Sequence, residues 1–483
     1  MATGKLILLE FNELCPPLLD RWMSEGQLPN FRRFYEQSQV FVARADMPAG
    51  EDLQPWIQWY SLHTGIGFRT HGVRNLTDGP LAGHLDIWSI LADSGLPVMN
   101  WGSMNARSLR IPGSTYLPDP WCQTEEPYPA ELAVYQRVVT TLVQENSVGG
   151  GRKLAASDLA KFLAFLATRG LSAATVARIL GQIIDDVVKR ENRWKRAVLL
   201  DRLQFDLFNH YWRRQQPAFA TFFLNSTAHF QHAYWHHAFP EDFAGTPADS
   251  GGQDSTGLRD AILFGYRQMD DLLSGFFELE REGALLVLTT ALSQQPSGRT
   301  DRIYYRPRNV QGLLGLCGIR CEEVLPVMAE QCSARFVDSR SADEAKAVLE
   351  RLRVGDQQLL DFGPTKDHCI FFGANVRTRV PQEAVVTGFA SGPDMPFHEI
   401  FHALSHTKSA THHPDSVLWW KTGTHTIHGE RPSILDILPT VIDYFGVARA
   451  AYDPQNRLEG RSILHALGPL PGRRLSGPNS LAA

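Results

Sequence analysis

The chain has 483 residues, of which 43% are hydrophobic and 20% are charged, and its formal net charge is −5. This composition is typical of an ordinary globular protein and excludes a disordered or fibrous chain. The weak negative charge comes without a polybasic run, so we expect no nucleic-acid partner. The 17 His residues are more than core packing requires, and this surplus needs an explanation.

The N-terminal part of the sequence alternates strands and helices. Residues 5–10 are a continuous apolar run, which predicts a buried parallel strand. Residues 18–37 carry apolar side chains at helical spacing, interrupted by a turn at residues 28–30. A helix at residues 87–93 and a strand at 98–101 follow. This pattern predicts an α/β fold with a mainly parallel sheet, in which functional residues follow the carboxyl ends of the strands.

The later sequence predicts two insertions into this core. Residues 150–215 are rich in Ala, Leu and Arg with helical periodicity, which indicates a helical insertion. Core strands are predicted at 219–224 and 284–290, with a helix at 258–280 between them. The composition then changes over residues 299–379, which predicts a small inserted α/β subdomain.

The C-terminal part returns to the core. Residues 435–445 predict a helix whose cap is Ser433, three positions before Asp436. We therefore divide the chain into a core formed by residues 1–298 and 380–470, the inserted subdomain, and a Gly/Pro/Ser-containing tail at 471–483 that we expect to be disordered.

The sequence also bears on the compartment. The opening MATGKLILL is too short for the apolar region of a signal peptide, and no run of about 18 apolar residues occurs. The six Cys residues are scattered and form no paired metal-binding pattern. We expect a reduced, cytoplasmic protein without a membrane partner.

Polar residues follow the first predicted strand. Glu10, Asn12 and Glu13 can bind a cation, orient a substrate or act in acid–base chemistry. The alternative is that they only cap the following helix, and the pattern alone does not separate the two interpretations.

A loop rich in acidic and aromatic residues precedes the next helix and resembles a substrate-facing loop. We identify Glu51 and Asp52 as candidate catalytic carboxylates, and Gln54, Trp56 and Trp59 as candidate substrate-binding residues. Alone, this signal is weak.

Two His-rich segments follow predicted strands. In the first, His229, His232 and His236 are three and four residues apart, so a helical face can present two imidazoles to a metal. In the second, residues 398–428 contain seven His, and His425 lies in a Gly/Thr turn from which it can point into a cleft. A solvated His-rich helix start is an equally good interpretation of the first segment by itself.

These segments, in this order, resemble the alkaline phosphatase superfamily, specifically its type I phosphodiesterase/nucleotide pyrophosphatase branch. Its opening helix is similar to residues 26–31, its W…TG…HG stretch to residues 59–73, and its metal segment to residues 231–235. Its late metal His is similar to residues 423–425, and its C-terminal D-x-x-P-T…G…G-R-S-L region to residues 436–464. About half of the chain is covered.

The resemblance implies an alkaline-phosphatase-like core, two metals, commonly zinc, around a Ser or Thr nucleophile, and cleavage of phosphate or sulfate esters. This chain departs from the pattern. Asn12 and Ala228 replace Asp ligands, and Ala291 and Leu292 replace an Asp–His pair. The loop at residues 44–60 has no Ser, Thr or Cys.

These losses imply at most one divalent metal, zinc or manganese, or no metal at all. Its ligands would be His232 and His425, with His229 as the candidate third ligand and Asn225 or Asp415 as alternatives to it. The leading hypothesis is a diverged hydrolase acting on a small phosphate or sulfate ester without the usual nucleophile, with Glu51, Asp52, Glu10 or Glu13 in catalytic roles. The alternatives are a non-catalytic descendant that binds a phosphorylated ligand or a partner protein, and a repurposed transferase in a biosynthetic pathway.

Overall fold

The computed structural model of the chain describes residues 4–48, 51, 53–76, 78–122, 124–148, 154–243, 255–298, 302–325, 331–363, 365, 368–390, 392–404 and 408–470. Its strands are β1 (Lys5–Phe11), β2 (Gln39–Arg44), β3 (Val98–Trp101), β4 (Thr115–Leu117), β5 (Phe219–Leu224), β6 (Ala284–Thr289), β7 (Ser293–Pro296), β8 (Tyr305–Pro307), β9 (Glu323–Leu325), β10 (Cys332–Arg335), β11 (Arg353–Val354), β12 (Gln357–Gln358), β13 (Leu360–Phe362), β14 (Cys369–Ala374), β15 (Val385–Thr387), β16 (Met395–Pro396), β17 (Phe401–Ala403), β18 (Ala410–His413), β19 (Asp415–Trp420) and β20 (Thr426–Ile427).

The α-helices are α1 (Pro16–Ser24), α2 (Pro29–Tyr35), α3 (Pro55–Thr64), α4 (Phe68–His71), α5 (Ile87–Asp93), α6 (Ala133–Val148), α7 (Ala156–Thr168), α8 (Ala173–Val188), α9 (Leu199–Gln215), α10 (Ser226–Ala238), α11 (Ala261–Arg281), α12 (Val310–Leu316), α13 (Ser339–Leu349), α14 (Phe397–Ile400), α15 (Ile437–Tyr444) and α16 (Arg449–Tyr452). None of these helices has the length and apolar character needed to cross a membrane, as far as the described residues extend.

A central sheet of eight strands organises the core in the order β20-β2-β19-β6-β1-β5-β3-β4. Neighbouring strands run parallel except where β19 lies antiparallel between β2 and β6. The predicted α/β class with a mainly parallel sheet is therefore confirmed. Because β19 runs against its neighbours, the chain that precedes it lies at the carboxyl edge of the sheet and the chain that follows it lies at the amino edge.

Strand β1 shows why both faces of this sheet are covered. Its side chains alternate between two cores, with Ile7, Leu9 and Phe11 on one face and Leu6 and Leu8 on the other. Helices α1, α2, α10 and α11 contribute to the first core, and α3, α5 and α15 contribute to the second. A strand buried on both faces must be apolar throughout, which explains the continuous apolar run in the sequence.

A third hydrophobic cluster draws its side chains from Tyr305 to Phe401 and includes the sheet β13-β14-β10-β9. This cluster contains much of the predicted subdomain at residues 299–379 and continues beyond it. The domain division itself stays a prediction, and the expected disordered tail at 471–483 lies outside the described residues.

Several local predictions agree with the observed elements. The helix predicted at residues 18–37 is divided into α1 and α2 at the predicted turn, and the strand at 219–224 has the predicted bounds. Ser433 and Asp436 form a reciprocal capping box, in which the Ser433 N–H donates to Asp436 (2.9 Å) and the Leu435 N–H donates to the Ser433 hydroxyl (3.2 Å). The capped segment is a 3₁₀ turn at Ile434–Asp436, and α15 follows it.

Gly460 allows two chain segments to approach closely. A Cβ atom at this position would lie 2.0 Å from the carbonyl oxygen of Leu435, which belongs to the capped turn before α15. Neither atom can move without displacing backbone. The glycine is therefore required by space rather than by a left-handed conformation.

We predict that Gly460→Ala lowers the free energy of unfolding by about 3 kcal/mol, at the upper end of the range for overpacking. Gly429→Ala is the matched control, because a Cβ at Gly429 would meet nothing within 4 Å. We expect the control to change stability by less than about 0.5 kcal/mol. Urea denaturation of both variants measures the difference, and equal stabilities would contradict the steric argument.

His71 links α4 to α3 in its neutral form. Burial, together with the charge of His84, lowers the pKa of His71 to about 4. The Nδ1 atom accepts a hydrogen bond from the Val73 N–H (2.9 Å), so the proton of the neutral ring resides on Nε2, 2.9 Å from the Ser61 hydroxyl. Protonation of Nδ1 would place two N–H groups against each other.

We predict that His71 makes the fold less stable in acid. Its pKa is lower in the folded than in the unfolded chain, so the unfolded state binds more protons between about pH 4 and pH 6.5 and stability rises with pH in this window, by up to about 3 kcal/mol. Urea denaturation between pH 4 and 7 measures the slope, and the His71→Gln variant should lose this part of it. An unchanged slope in the variant would contradict the assignment.

Candidate metal centre

Three chain segments meet at the carboxyl edge of the central sheet. Strand β1 ends at Phe11 and delivers Glu13, and helix α10, which begins directly after β5, delivers His232. The third side chain is His412 on β18, which pairs with Gln294 of β7. The polarity of the strands therefore brings one carboxylate and two imidazoles to the same edge.

The donor atoms of these residues have the spacing of metal ligands. Glu13 Oε2 lies 3.3 Å from His232 Nε2 and 3.6 Å from His412 Nε2, and all three donor atoms lie within 4.8 Å of one another. Two ligands about 2.0–2.1 Å from a tetrahedral zinc ion are about 3.3–3.4 Å apart. We refer to Glu13, His232 and His412 as the Glu-His-His triad.

The opposite nitrogen of each imidazole is held by a backbone carbonyl. His232 Nδ1 donates to the carbonyl oxygen of Ala410 (3.1 Å), and His412 Nδ1 donates to that of Leu53 (2.5 Å). A carbonyl can only accept, so the neutral rings carry their protons on Nδ1 and direct the lone pairs of Nε2 towards the Glu13 carboxylate. This arrangement orients metal-binding imidazoles in many sites, and it favours a cation between the three donor atoms.

The protonation states suit a divalent cation. Burial alone would raise the pKa of Glu13, but the positive charge of His412 and a hydrogen bond from His232 outweigh it and lower this pKa to about 2. Both effects require a proton on Nε2, and a bound cation would take the place of that proton. Burial also lowers the pKa of His412, against the opposing effect of the Glu13 charge. An ionised carboxylate and a neutral imidazole are the forms that bind metal.

The triad is open on one side. The side chains of His232 and His412 are 29% and 17% exposed, whereas that of Glu13 is 3% exposed. Three protein ligands with solvent access on one side leave room for a water or substrate ligand, as in catalytic zinc sites.

Glu13 itself is fixed on all sides. It has a left-handed backbone conformation with φ of 62°, unusual for a residue other than Gly, and its carbonyl oxygen accepts a hydrogen bond from Gln231 Nε2 (2.8 Å). Its Oε1 accepts from Asn12 Nδ2 (2.9 Å), and Gln294 Nε2 donates to its Oε2. Such a conformation persists where surrounding contacts determine it, which is common at functional sites.

Asn12 and Trp59 support the triad from inside the protein. Trp59 Nε1 donates to Asn12 Oδ1 (2.8 Å), and Asn12 Nδ2 also donates to Asn225 Oδ1 (2.7 Å). Asn12 is 1% exposed and Trp59 is fully buried. Their polar atoms hold Glu13 in place, and neither residue lies on the surface where the predicted substrate contact would occur.

Glu10 belongs to a separate buried network. Its Oε1 lies 2.8 Å from His63 Nε2, and its Oε2 accepts from the Ser103 hydroxyl (2.7 Å), which lies 2.8 Å from Thr221 Oγ1. Glu10 is fully buried. Its predicted catalytic role has no counterpart in this arrangement, because no substrate can reach the carboxylate.

The loop residues predicted to act in catalysis are dispersed. Glu51 is exposed and pairs with Arg74 (3.1 Å), whose carbonyl oxygen accepts a hydrogen bond from Trp56 Nε1 (2.9 Å). Gln54 is partly buried at the start of α3 and makes no side-chain capping bond. Asp52 lies outside the described residues. The loop nevertheless contacts the site, because the Leu53 carbonyl holds His412.

The other two predicted metal ligands do not join His232. His425 follows β19 at the amino edge, where it is exposed and lies near the Tyr35 carbonyl (2.9 Å). The length of β19, about 17 Å for six residues, separates that edge from the chain before the strand. His229 is exposed on α10 beside the ring of Phe230. The expected pairing of His232 with His425 is therefore corrected to His232 with His412.

Sequence reasoning did not select His412 and Gln294 as site residues. The sequence shows only that His412 lies in a His-rich segment shortly before β19. The antiparallel direction of that strand, which brings His412 to the carboxyl edge, is seen only in the structure. Ala291 and Leu292, which follow β6 where a second metal site would need ligands, are fully buried apolar residues.

Comparisons with known proteins return structural matches only. The chain is similar to phosphonoacetate hydrolase from Sinorhizobium meliloti 1021, with 15% identity over 92% of this chain and 96% of that chain and a TM-score of 0.42. It is also similar to human ectonucleotide pyrophosphatase/phosphodiesterase 5, with 9% identity over 92% of this chain and 95% of that chain and a TM-score of 0.39. A further match is the alkaline phosphatase PafA, with 12% identity over 97% of this chain and 99% of that chain and a TM-score of 0.43.

Two of these proteins bear the names of the superfamily and branch that the sequence motifs resemble. All three TM-scores are below 0.5, so these matches do not show an activity. The α/β class rests on the observed sheet. No protein-family model and no curated protein matches the chain.

We predict that the protein binds one zinc ion per chain through the triad. His232→Ala or His412→Ala should weaken zinc binding at least tenfold, because two protein ligands remain instead of three. Elemental analysis after dialysis and competition with a chromophoric chelator measure the stoichiometry and affinity. His425→Ala is the matched control and should keep the wild-type affinity; a loss as large as that of His412→Ala would contradict the site.

Proposed function

We propose that the protein is a divalent-metal-dependent hydrolase of a small phosphate or sulfate ester, with a single metal held by Glu13, His232 and His412. The observation that carries this proposal is the Glu-His-His triad, whose donor atoms lie within 4.8 Å of one another and whose imidazoles are anchored through Nδ1. The substrate class comes from the sequence motifs that resemble the phosphodiesterase branch.

A single metal agrees with the residues that this chain has lost. Ala291 and Leu292 offer no ligand atoms and are packed in the interior, so a second ion would lack two of its donors. The loop at residues 44–60 contains no Ser, Thr or Cys. Both observations favour direct attack by water over a covalent intermediate on a side chain.

The chain contributes charge, orientation and access. Glu13 brings the negative charge that attracts the cation, and its buried contacts keep the carboxylate in one position. His232 and His412 aim their Nε2 atoms at the same point and remain open to solvent on one side. A divalent ion bound there supplies Lewis-acid polarisation of an ester oxygen and lowers the pKa of water.

Glu51 remains the candidate acid–base residue of the adjoining loop. Its carboxylate is exposed and pairs with Arg74, two positions before the carbonyl that holds His412. An exposed carboxylate on a loop beside the triad can exchange its partner for a substrate or a water. We include Asp52 as the second candidate from the same loop.

A binding role without catalysis is the second candidate function. Both oxygens of Glu13 already accept hydrogen bonds from Asn12 and Gln294, an arrangement that holds the buried anion in the absence of turnover. A protein of this kind would bind a metal and a phosphorylated or sulfated ligand without converting it.

A substrate screen tests the proposal. Zinc-, manganese- or magnesium-loaded protein is assayed with an aryl phosphate, an aryl phosphodiester and an aryl sulfate. We expect turnover of at least one ester that depends on added metal, and at least a hundredfold lower kcat/KM in Glu13→Gln and His412→Ala, since loss of one ligand removes the charge or geometry of the site.

The control variants separate the outcomes. His425→Ala should retain the wild-type kcat/KM, whereas Glu51→Gln should lower kcat more than it raises KM if this carboxylate transfers a proton. Stoichiometric metal binding without turnover of any ester would favour the binding role. Turnover that persists without metal would contradict the proposed function.

A further inference from the structure

Helix α8 carries its apolar side chains on the outside of the protein. A surface helix normally directs its apolar stripe to the core, but the inward side of α8 carries Thr175, Gln182 and Asp186, with Ile179 as the one large aliphatic residue among them. The outward side carries six large aliphatic residues that are 38–77% exposed: Val176, Leu180, Ile183, Ile184, Val187 and Val188. We refer to these six side chains as the α8 stripe.

Polar contacts account for the inverted orientation. Gln182 Nε2 donates to Asp186 Oδ1 (2.9 Å), and Asp186 also pairs with Arg196 of the 3₁₀ segment Arg190–Val198. Arg178 pairs with Asp271 of α11 (3.1 Å). The pairs with Arg196 and Asp271 join α8 to other elements, so the stripe cannot turn inward without breaking them.

The spacing of the stripe is that of a helix-packing seam. Val176, Leu180, Ile183 and Val187 are separated by four, three and four residues, the alternation of a and d positions in coiled coils. Ala173, Ala177 and Gly181 lie along one edge at intervals of four, where small side chains let another helix approach. The charged residues of α8, Arg178, Asp185 and Asp186, lie away from the seam.

The size and symmetry of the stripe indicate its partner. Six aliphatic side chains exposing roughly 100 Å² each bury about 600 Å², close to the ~800 Å² per partner of a standard interface. An antiparallel copy of α8 places Val176 opposite Val187 and Leu180 opposite Ile183. Each residue of the seam then faces an apolar residue of the other copy. This self-complementarity is what a two-fold interface requires.

Other occupants fit the stripe less well. Membrane-binding helices place Lys and Arg along the polar boundary, but the seam of α8 is flanked by Ala, Gly and aliphatic residues. The undescribed segments of this chain are short or rich in Gly, Pro and polar residues, so they offer little apolar surface to cover six side chains.

We propose that the protein forms a two-fold homodimer in which α8 packs antiparallel against α8 of a second copy. The proposed interface consists of α8 residues and includes no residue of the Glu-His-His triad. The dimer is therefore independent of the proposed hydrolase activity.

Sedimentation velocity of the full-length protein tests the dimer. At about 20 µM, wild type should sediment with twice the chain mass, because a dimer with a dissociation constant of about 1 µM is largely associated at this concentration. The double variant Leu180→Glu/Val187→Glu should raise the dimer dissociation constant at least a hundredfold, because each copy then places two carboxylates in an apolar contact. A second variant, Ala177→Arg, should weaken the dimer at least tenfold by blocking close approach of the helices.

The matched control is Leu81→Glu/Val337→Glu, which makes the same chemical change at two aliphatic residues that are 77% and 73% exposed elsewhere. The control should remain dimeric, and circular dichroism should show unchanged helix content in every variant. A monomeric wild type overturns the proposal and leaves the stripe to a different partner. A dimer that survives both α8 changes, or that the control abolishes equally, also overturns it.

Discussion

The structure around the triad depends on one requirement, which is that the buried negative charge of Glu13 is compensated. An unpaired carboxylate in a protein interior is strongly destabilising unless hydrogen bonds and opposite charge compensate it. Asn12 and Gln294 donate to its oxygens, and two imidazoles face it at 3.3 and 3.6 Å. Asn12 is in turn held by Trp59. A continuous set of contacts therefore runs from the core to the open side of the triad, where the proposed cation would compensate the carboxylate charge.

The direction of each strand decides which histidines lie near the Glu13 carboxylate. Parallel strands deliver the residues after them to one edge, so the chain after β1 and the chain after β5 meet there. The antiparallel strand β19 reverses the rule, because the residues before it reach that edge and the residues after it do not. His412 therefore joins His232, and His425 lies a strand length away. One reversed strand therefore changes which histidine is the candidate ligand.

The sequence predicts those parts of the fold and site that depend on local pattern. Apolar runs predicted the strands at 219–224 and 284–290, and the second ends one residue earlier in the structure. Glu13 was selected because it follows a strand closely, and His232 because its segment carries His at helical spacing and resembles a metal-binding motif. His412 required knowledge of pairing between β18 and β7, which is a long-range property that no local spacing encodes. Helical periodicity likewise predicted α8 but could not show that its apolar side faces solvent, since orientation depends on polar partners such as Asp271 in a distant helix.

Glu10 and Glu13 show how three residues can separate an enclosed carboxylate from a candidate metal ligand. Glu10 lies inside β1, where burial on both faces confines its partners to His63 and Ser103 and excludes ligand exchange. Glu13 lies just beyond the strand, where a left-handed backbone turns its carboxylate towards two partly exposed imidazoles. Both carboxylates contact histidine, so residue type alone does not separate them. Solvent access to the partner histidines does, because a metal held by the triad could exchange a ligand only where solvent reaches the site.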